Sequence, residues 1–279
     1  MATRMSSREA RDGRGYTPRR HGAGYRADRV LRSPTSGMTA PRAVVLAGGL
    51  GTRLRPFTTV LPKPLMPVGD RPVLDIIIRQ LAARGFRRIT IATGYLAELI
   101  EAFFGDGAAY GVEIEYFREH EPLGTVGSLA LIEDLDAHVL VMNGDVVTDI
   151  DYSALLQRHV DDGVAATIAC TRRHVQIPLG VMHFHDREDS TRLTGYTEKP
   201  TVDFEVSMGV YCFSQAALGF ISPGERLDFP DLVKRLIAAG EIVRAWRSDG
   251  YWLDIGQHAD YEQAQDEFER VRHRLIPDG

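Results

Sequence analysis

From residue 42 onward, apolar positions follow two alternating rhythms. Ala43-Val44-Val45-Leu46 is an unbroken apolar run, the signature of a strand covered on both faces, and it predicts a strand over 43–47. Val73, Ile76, Ile77 and Leu81 then recur three or four residues apart, which predicts a helix over 72–84 stopping at Gly85. The alternation continues with a strand at 88–92, a helix at 96–104 ending at Gly105 and a strand at 112–117. A helix at 124–132, a buried strand at 138–142, a helix at 151–160 and a strand at 165–170 follow. This β-α-β-α order predicts an α/β, Rossmann-like, mainly parallel sheet with helices on both faces.

The second half is richer in strands. Candidates lie at 179–184, 192–197, 207–213, 242–246 and 251–254, with helices at 214–220, 229–239 and 258–274. No internal repeat is visible.

Residues 1–41 break both rhythms. They are rich in Arg, Gly, Ser and Pro and predict a disordered basic extension. No apolar stretch follows the basic residues, so the segment does not read as a secretory signal. Met38, just before the first strand, is a second candidate start. Residues 42–279 are expected to form a single domain with a strand-rich second half.

Charge divides the same way. The net charge of −5 splits into +6 over residues 1–40 and −11 over the remainder. An acidic body argues against general nucleic-acid binding. No apolar run reaches the length of a membrane span. Cys170 and Cys212 lie far apart without metal-ligand spacing and fit buried thiols of a reducing, cytoplasmic setting.

Candidate chemistry follows the first strand, in Leu46-Ala47-Gly48-Gly49-Leu50-Gly51-Thr52-Arg53-Leu54-Arg55 and then Pro62-Lys63-Pro64-Leu65. Three glycines in four positions let the backbone come close to a ligand. Successive N–H groups in such a turn form an anion-binding concavity. Arg53 adds a planar fork of donors and Lys63 a mobile point charge, together suited to a polyphosphate. Lysine is rare here: of 33 basic residues only Lys63, Lys199 and Lys234 are lysines, and two of these sit in the similar settings Pro62-Lys63-Pro64 and Glu198-Lys199-Pro200. Where arginine is the default cation, a lysine points to a need for a compact, rotatable ammonium. His183 and His185 share one strand face and read as polar surface, and Asp134 and Asp136 read as loop charges.

The glycine-rich run with Pro62-Lys63-Pro64-Leu65 resembles the signature of the sugar-1-phosphate nucleotidylyltransferases. Glu121-Pro122-Leu123-Gly124-Thr125, Asn143-Gly144-Asp145, Glu198-Lys199-Pro200 and Trp252-Leu253-Asp254-Ile255-Gly256 follow in that family's order, over roughly residues 42–265. Five ordered motifs are far more specific than one glycine loop. The resemblance implies the nucleotide-diphospho-sugar transferase type of fold and transfer of a nucleotidyl group from an NTP to a sugar-1-phosphate, with release of pyrophosphate.

It also implies roles. Leu46, Ala47, Gly48, Gly49, Gly51, Thr52, Arg53, Lys63, Glu121, Gly124, Thr125, Asn143 and Asp145 would line the nucleotide site. Gly180, Glu198, Lys199 and Ser207 would hold the sugar phosphate. Arg53, Lys63, Asp145, Lys199 and Asp254 would carry the reaction, with Mg2+ on Asp145 and Asp254 as cofactor. The partners are the NTP and sugar-1-phosphate, without nucleic acid or membrane; a homo-oligomer is left open.

In motif style the chain is nearest the mannose-1-phosphate and manno-heptose-1-phosphate guanylyltransferases, which implies GTP. Thymidylyl-, uridylyl- and cytidylyltransferases acting on glucose-1-phosphate stay open, as does a silent homologue that senses NDP-sugars. A glycosyltransferase would need a closely spaced Asp-x-Asp, for which only Asp134-Leu135-Asp136 and Asp149-Ile150-Asp151 offer themselves. Ser207-Met208-Gly209 stands where the family often has Asn-Ala-Gly, which leaves the sugar open.

Overall fold

The structure is a computed structural model that describes residues 40–185 and 191–276. The extension expected over 1–41 lies outside the described residues but for its last two positions. Its elements run β1 (Arg42–Ala47), β2 (Pro67–Val68), β3 (Arg71–Pro72), α1 (Val73–Ala83), β4 (Arg88–Thr93), α2 (Ala97–Phe104), β5 (Glu113–Arg118), β6 (His138–Asn143), β7 (Val146–Thr148) and α3 (Tyr152–Asp162). There follow β8 (Ala166–Gln176), β9 (Val181–Phe184), β10 (Leu193–Thr197), β11 (Thr201–Ser214), α4 (Gln215–Leu218), α5 (Phe229–Ala238), β12 (Val243–Arg247), β13 (Trp252–Asp254) and α6 (His258–Leu275).

Seven strands form one mixed sheet in the order β12-β8-β11-β6-β1-β4-β5. β1 pairs in parallel with β4 and β6, β4 with β5, and β12 with β8. Only β11 runs against its neighbours, β6 and β8. The mainly parallel α/β expectation therefore holds. β1 carries the apolar run because both of its faces are covered: Ala43, Val45 and Ala47 join one core, Val44 the other. β4 lies on one side of β1 and β6 on the other, so the chain reverses its winding there. Ligand crevices in open α/β sheets form at the carboxyl ends of strands beside such a reversal.

A buried amide frames that end. Gln80 of α1 donates to the carbonyls of Thr148 and Leu275, each at 2.8 Å, and its Oε1 accepts from Tyr152 Oη at 3.1 Å. One side chain thus ties α1 to β7, α3 and the end of α6. Asp136, expected to be a loop charge, accepts from the Arg42 backbone N–H at 2.9 Å and pairs with Arg88, fastening the starts of β1 and β4.

One predicted helix is absent. Residues 124–132 hold only a single 3-10 turn, Gly127–Ala130. A Cβ on Gly124 would stand 2.5 Å from Leu227 O, and one on Gly127 2.3 Å from Glu225 O. The segment's polar groups bond across to that neighbour: Val126 N–H donates to Leu227 O and Thr125 N–H to Asp228 Oδ1. Close docking has replaced helical bonding. β8 and β11 are longer than expected, and β7 is a short strand that the sequence pattern did not reveal.

Candidate active site

The glycine loop leaves the carboxyl end of β1. Gly51 has φ +59°, and a Cβ there would meet Thr58 Cγ2 at 2.9 Å, so this turn requires glycine. Thr58 Oγ1 donates to Gly51 O at 2.7 Å and closes the loop on itself. Gly49 faces open space, whereas Gly48 abuts the next strand end: a Cβ on Gly94 would lie 2.8 Å from Gly48 O. Thr52 and Arg53 are exposed. The loop is thus backbone presented to solvent and held from behind.

β6 ends beside it. Gly144 N–H donates to Leu46 O at 2.8 Å, locking the Asn143-Gly144-Asp145 turn to β1. β13 pairs antiparallel with β7, placing Asp254 opposite Val146 and next to Asp145. Ile255 N–H donates to Asp145 O at 3.1 Å. Two carboxylates more than a hundred residues apart in sequence are thereby fixed side by side.

Lys63 completes the group. Pro62 and Pro64 flank it, and Leu65 N–H to Pro62 O (2.8 Å) and Met66 N–H to Lys63 O (3.0 Å) fix a 3-10 turn. Its Nζ pairs with Asp145 Oδ2 and stands 3.9 Å from Asp254 Oδ1. Arg53 is close: a Cβ on Gly256 would lie 3.7 Å from its Nη1. Burial and the charge of Asp145 raise the Asp254 carboxyl above its ordinary value, against the pull of Lys63 and Arg53. Asp145 Oδ1 and Asp254 Oδ1 are buried without a hydrogen-bond partner. Two bare carboxylate oxygens in a charged crevice fit a hard divalent cation, which takes one or two carboxylates and completes its shell with water and phosphate.

A cleft of about 530 Å3 opens beside Asp254. Asn143, Ser207 and Asp254 line one part; Tyr211, Phe229, Pro230, Val233, Lys234 and Trp252 form much of the wall. A bulge in β11 shapes it, for between Ser207 and Tyr211 the pairing with β8 slips. Gly209 there has φ +73°, and a Cβ would press on Asn143 Nδ2 at 2.8 Å. Trp252 Nε1 donates to Met208 O at 2.8 Å and steadies the bulge. Tyr211 and Phe229 stack with centroids 3.7 Å apart.

Of the expected residues, Leu46, Ala47, the three glycines, Arg53, Lys63, Asn143, Asp145, Ser207 and Asp254 thus gather at one end of the sheet. Thr125 also lines the cleft, but its hydroxyl accepts from Phe229 N–H at 2.7 Å and holds the start of α5. Glu121 is exposed and makes no hydrogen bond or ion pair among the described residues. Glu119, two residues earlier, is half-buried against the loop: a Cβ on Gly48 would stand 3.4 Å from its Oε2, and burial raises its carboxyl.

Thr52 is exposed in the glycine loop and Gly124 is docked against Leu227, while Gly180 stands at the entry to β9 and Glu198 and Lys199 at the exit of β10. Tyr196 Oη lies against Gly180, where a Cβ would be 1.7 Å away, and donates to Glu198 Oε2 at 3.0 Å. Lys199 is exposed with φ +45°, a backbone state rare for a residue with a side chain. Among the described residues no hydrogen bond or ion pair joins this set to Asp145 or Asp254. Sequence reasoning missed Phe229, and it noted the Ser207-Met208-Gly209-Val210-Tyr211 segment without a role for Met208, Gly209 or Tyr211. Trp252 was visible in its motif but had no assigned role.

The Nucleotidyl transferase family model matches residues 42–271. A UTP–glucose-1-phosphate uridylyltransferase of Synechocystis is 32% identical over 241 residues, covering 80% of this chain. A mannose-1-phosphate guanyltransferase of Candida albicans is 34% identical over 231 residues, covering 79% of this chain. In both comparisons the match spans 62% of the relative's own length. Among solved structures, HddC from Yersinia pseudotuberculosis superposes with a TM-score of 0.63 at 25% identity, over 82% of this chain and 99% of that one.

Proposed function

This chain belongs to the Nucleotidyl transferase family, and we propose that it joins an NTP to a sugar-1-phosphate, forming an NDP-sugar and pyrophosphate. The observation that carries this reading is the meeting of Lys63, Asp145 and Asp254 beside an open glycine loop. The sugar-phosphate oxygen attacks the α-phosphorus, the bond to the β-phosphate oxygen breaks, and pyrophosphate leaves. No protein nucleophile is needed, so the chain's work is positioning and charge stabilisation.

The loop's N–H groups and Arg53 bind the β- and γ-phosphates. Lys63 neutralises charge gathering at the α-phosphate. Asp145 and Asp254 would hold Mg2+, which when bound would offset the negative charge of the phosphates. Glu198 accepts from sugar hydroxyls, and Lys199 binds the phosphate of the sugar. Asn143 and Ser207 line the cleft that receives the sugar ring.

The nucleotide we propose is GTP. Glu119 supports this: a half-buried carboxylate bordering the glycine loop suits guanine, whose N1–H and N2–H2 donors lie side by side. Uracil and thymine have no such pair of adjacent donors. The Candida relative's name agrees, and the Synechocystis relative's name favours UTP as the second reading. A reducing, cytoplasmic setting fits the two unpaired buried thiols, Cys170 and Cys212.

A matrix of four NTPs against mannose-, heptose- and glucose-1-phosphate, read by pyrophosphate release, tests both levels. GTP is expected to lead in at least one pairing. A pyrimidine triphosphate leading with every sugar overturns GTP alone; no release in any pairing overturns the transferase.

A further inference from the structure

Lys63 stands against both carboxylates that the proposed divalent cation would use. Its ammonium pairs with Asp145 Oδ2 and stands 3.9 Å from Asp254 Oδ1, while Oδ1 of each carboxylate lacks a hydrogen-bond partner. Resting on the transferase reading, we infer that Lys63 is the resident counter-ion of this pair and opposes divalent cations until a polyphosphate draws its ammonium away. Cation and nucleotide therefore load together.

The charges account for the effect. Two ionised carboxylates and one ammonium leave a net −1, with the nearby Arg53 and Asp260 offsetting each other, a weak attraction for a strongly hydrated cation. Removing the ammonium leaves −2 at the same place. An incoming triphosphate offers Lys63 a richer anion and offers the cation further oxygen ligands. Each ligand thus improves the site for the other, which is a reciprocal coupling.

The local structure suits a hand-over by side chain alone. The backbone of Lys63 is fixed between Pro62 and Pro64 in a hydrogen-bonded turn. Only the four-carbon stem moves, and an ammonium bonds equally well in either direction because its donors rotate. An arginine fork, locked bidentate on a carboxylate, transfers less readily. This gives a reason for lysine in a chain that otherwise uses arginine almost throughout.

The test is Mn2+ binding to the full chain, followed by electron paramagnetic resonance without any turnover. Wild type is expected to bind Mn2+ weakly alone and tightly with a non-hydrolysable NTP analogue. Lys63→Met should bind Mn2+ alone roughly tenfold or more tightly than wild type. Lys63→Arg should stay weak, and adding Asp145→Asn to Lys63→Met should abolish binding. Thermal melts check folding, and Lys63→Gln carries the same comparison if the methionine variant is unstable. Wild type binding Mn2+ alone as tightly as Lys63→Met overturns the inference. If wild type nevertheless shows Mg2+-dependent pyrophosphate release, the transferase reading stands without it. If no form binds Mn2+ even with nucleotide, the metal assignment falls and the inference with it.

Discussion

The two ends of the candidate site are built differently. At the proposed nucleotide end, the three central charged groups sit on strand ends or a clamped turn: Asp145 in the turn leading into β7, Asp254 at the end of β13 paired with it, and Lys63 between two prolines. At the sugar end, Glu198 and Lys199 stand exposed at the exit of a two-stranded hairpin. The first region's backbone is preorganised, so once the Lys63 side chain has turned to the phosphates its groups can stabilise developing charge without further movement. In the proposed reaction the second would bind at a cost in ordering and contribute to substrate affinity.

Substitution at the two ends separates these roles. Asp145→Ala or Asp254→Ala should lower turnover at least a hundredfold, with an unchanged melting temperature. Steady-state kinetics and a thermal melt check it; retention of more than half the activity by either variant would break the contrast at its stronger end.

The frame beneath the nucleotide end is the next target. Gln80→Leu leaves the carbonyls of Thr148 and Leu275 and the hydroxyl of Tyr152 without their buried partner. A loss of about 2 kcal/mol in unfolding free energy is expected, measured by urea denaturation. An unchanged midpoint would show that the strand pairing of β7 holds without it.

At the sugar end, Lys199→Ala should raise the KM for sugar-1-phosphate about tenfold while leaving the KM for the NTP unaltered. Equal effects on both substrates would erase the boundary between the regions. Smaller still, Tyr196→Phe removes an exposed hydrogen bond to Glu198 and should change stability by less than about 0.5 kcal/mol. A larger shift would mean that the hairpin is more rigid than its exposure suggests.

The same contrast governs what could be read from sequence. β1 and β6 announce themselves because both faces are covered and their apolar runs are continuous, whereas β4 alternates Ile89 and Ile91 with a buried Thr90. Asp145 and Asp254 were found because motif order survives in sequence even though their meeting depends on the β7–β13 pairing. The 124–132 helix failed because Gly124 and Gly127 serve close docking onto Leu227 and Glu225, a contact a hundred residues away. The 201–206 part of β11 carried a usable signal, with Val202, Phe204 and Val206 alternating with Asp203 and Glu205. The Tyr211–Phe229 stack and the bulge at Gly209 had none, since each arises from packing between separate elements.

The central claim is that this crevice transfers a nucleotidyl group and not a terminal phosphate. Incubating the chain with α-32P-labelled GTP, mannose-1-phosphate and Mg2+, then separating the products, tests it directly. The account predicts label in a GDP-sugar with one equivalent of pyrophosphate, and no label transfer by Asp145→Ala. Label recovered only in GDP or GMP, with no sugar nucleotide from this or any other NTP and sugar-1-phosphate pairing, would contradict it.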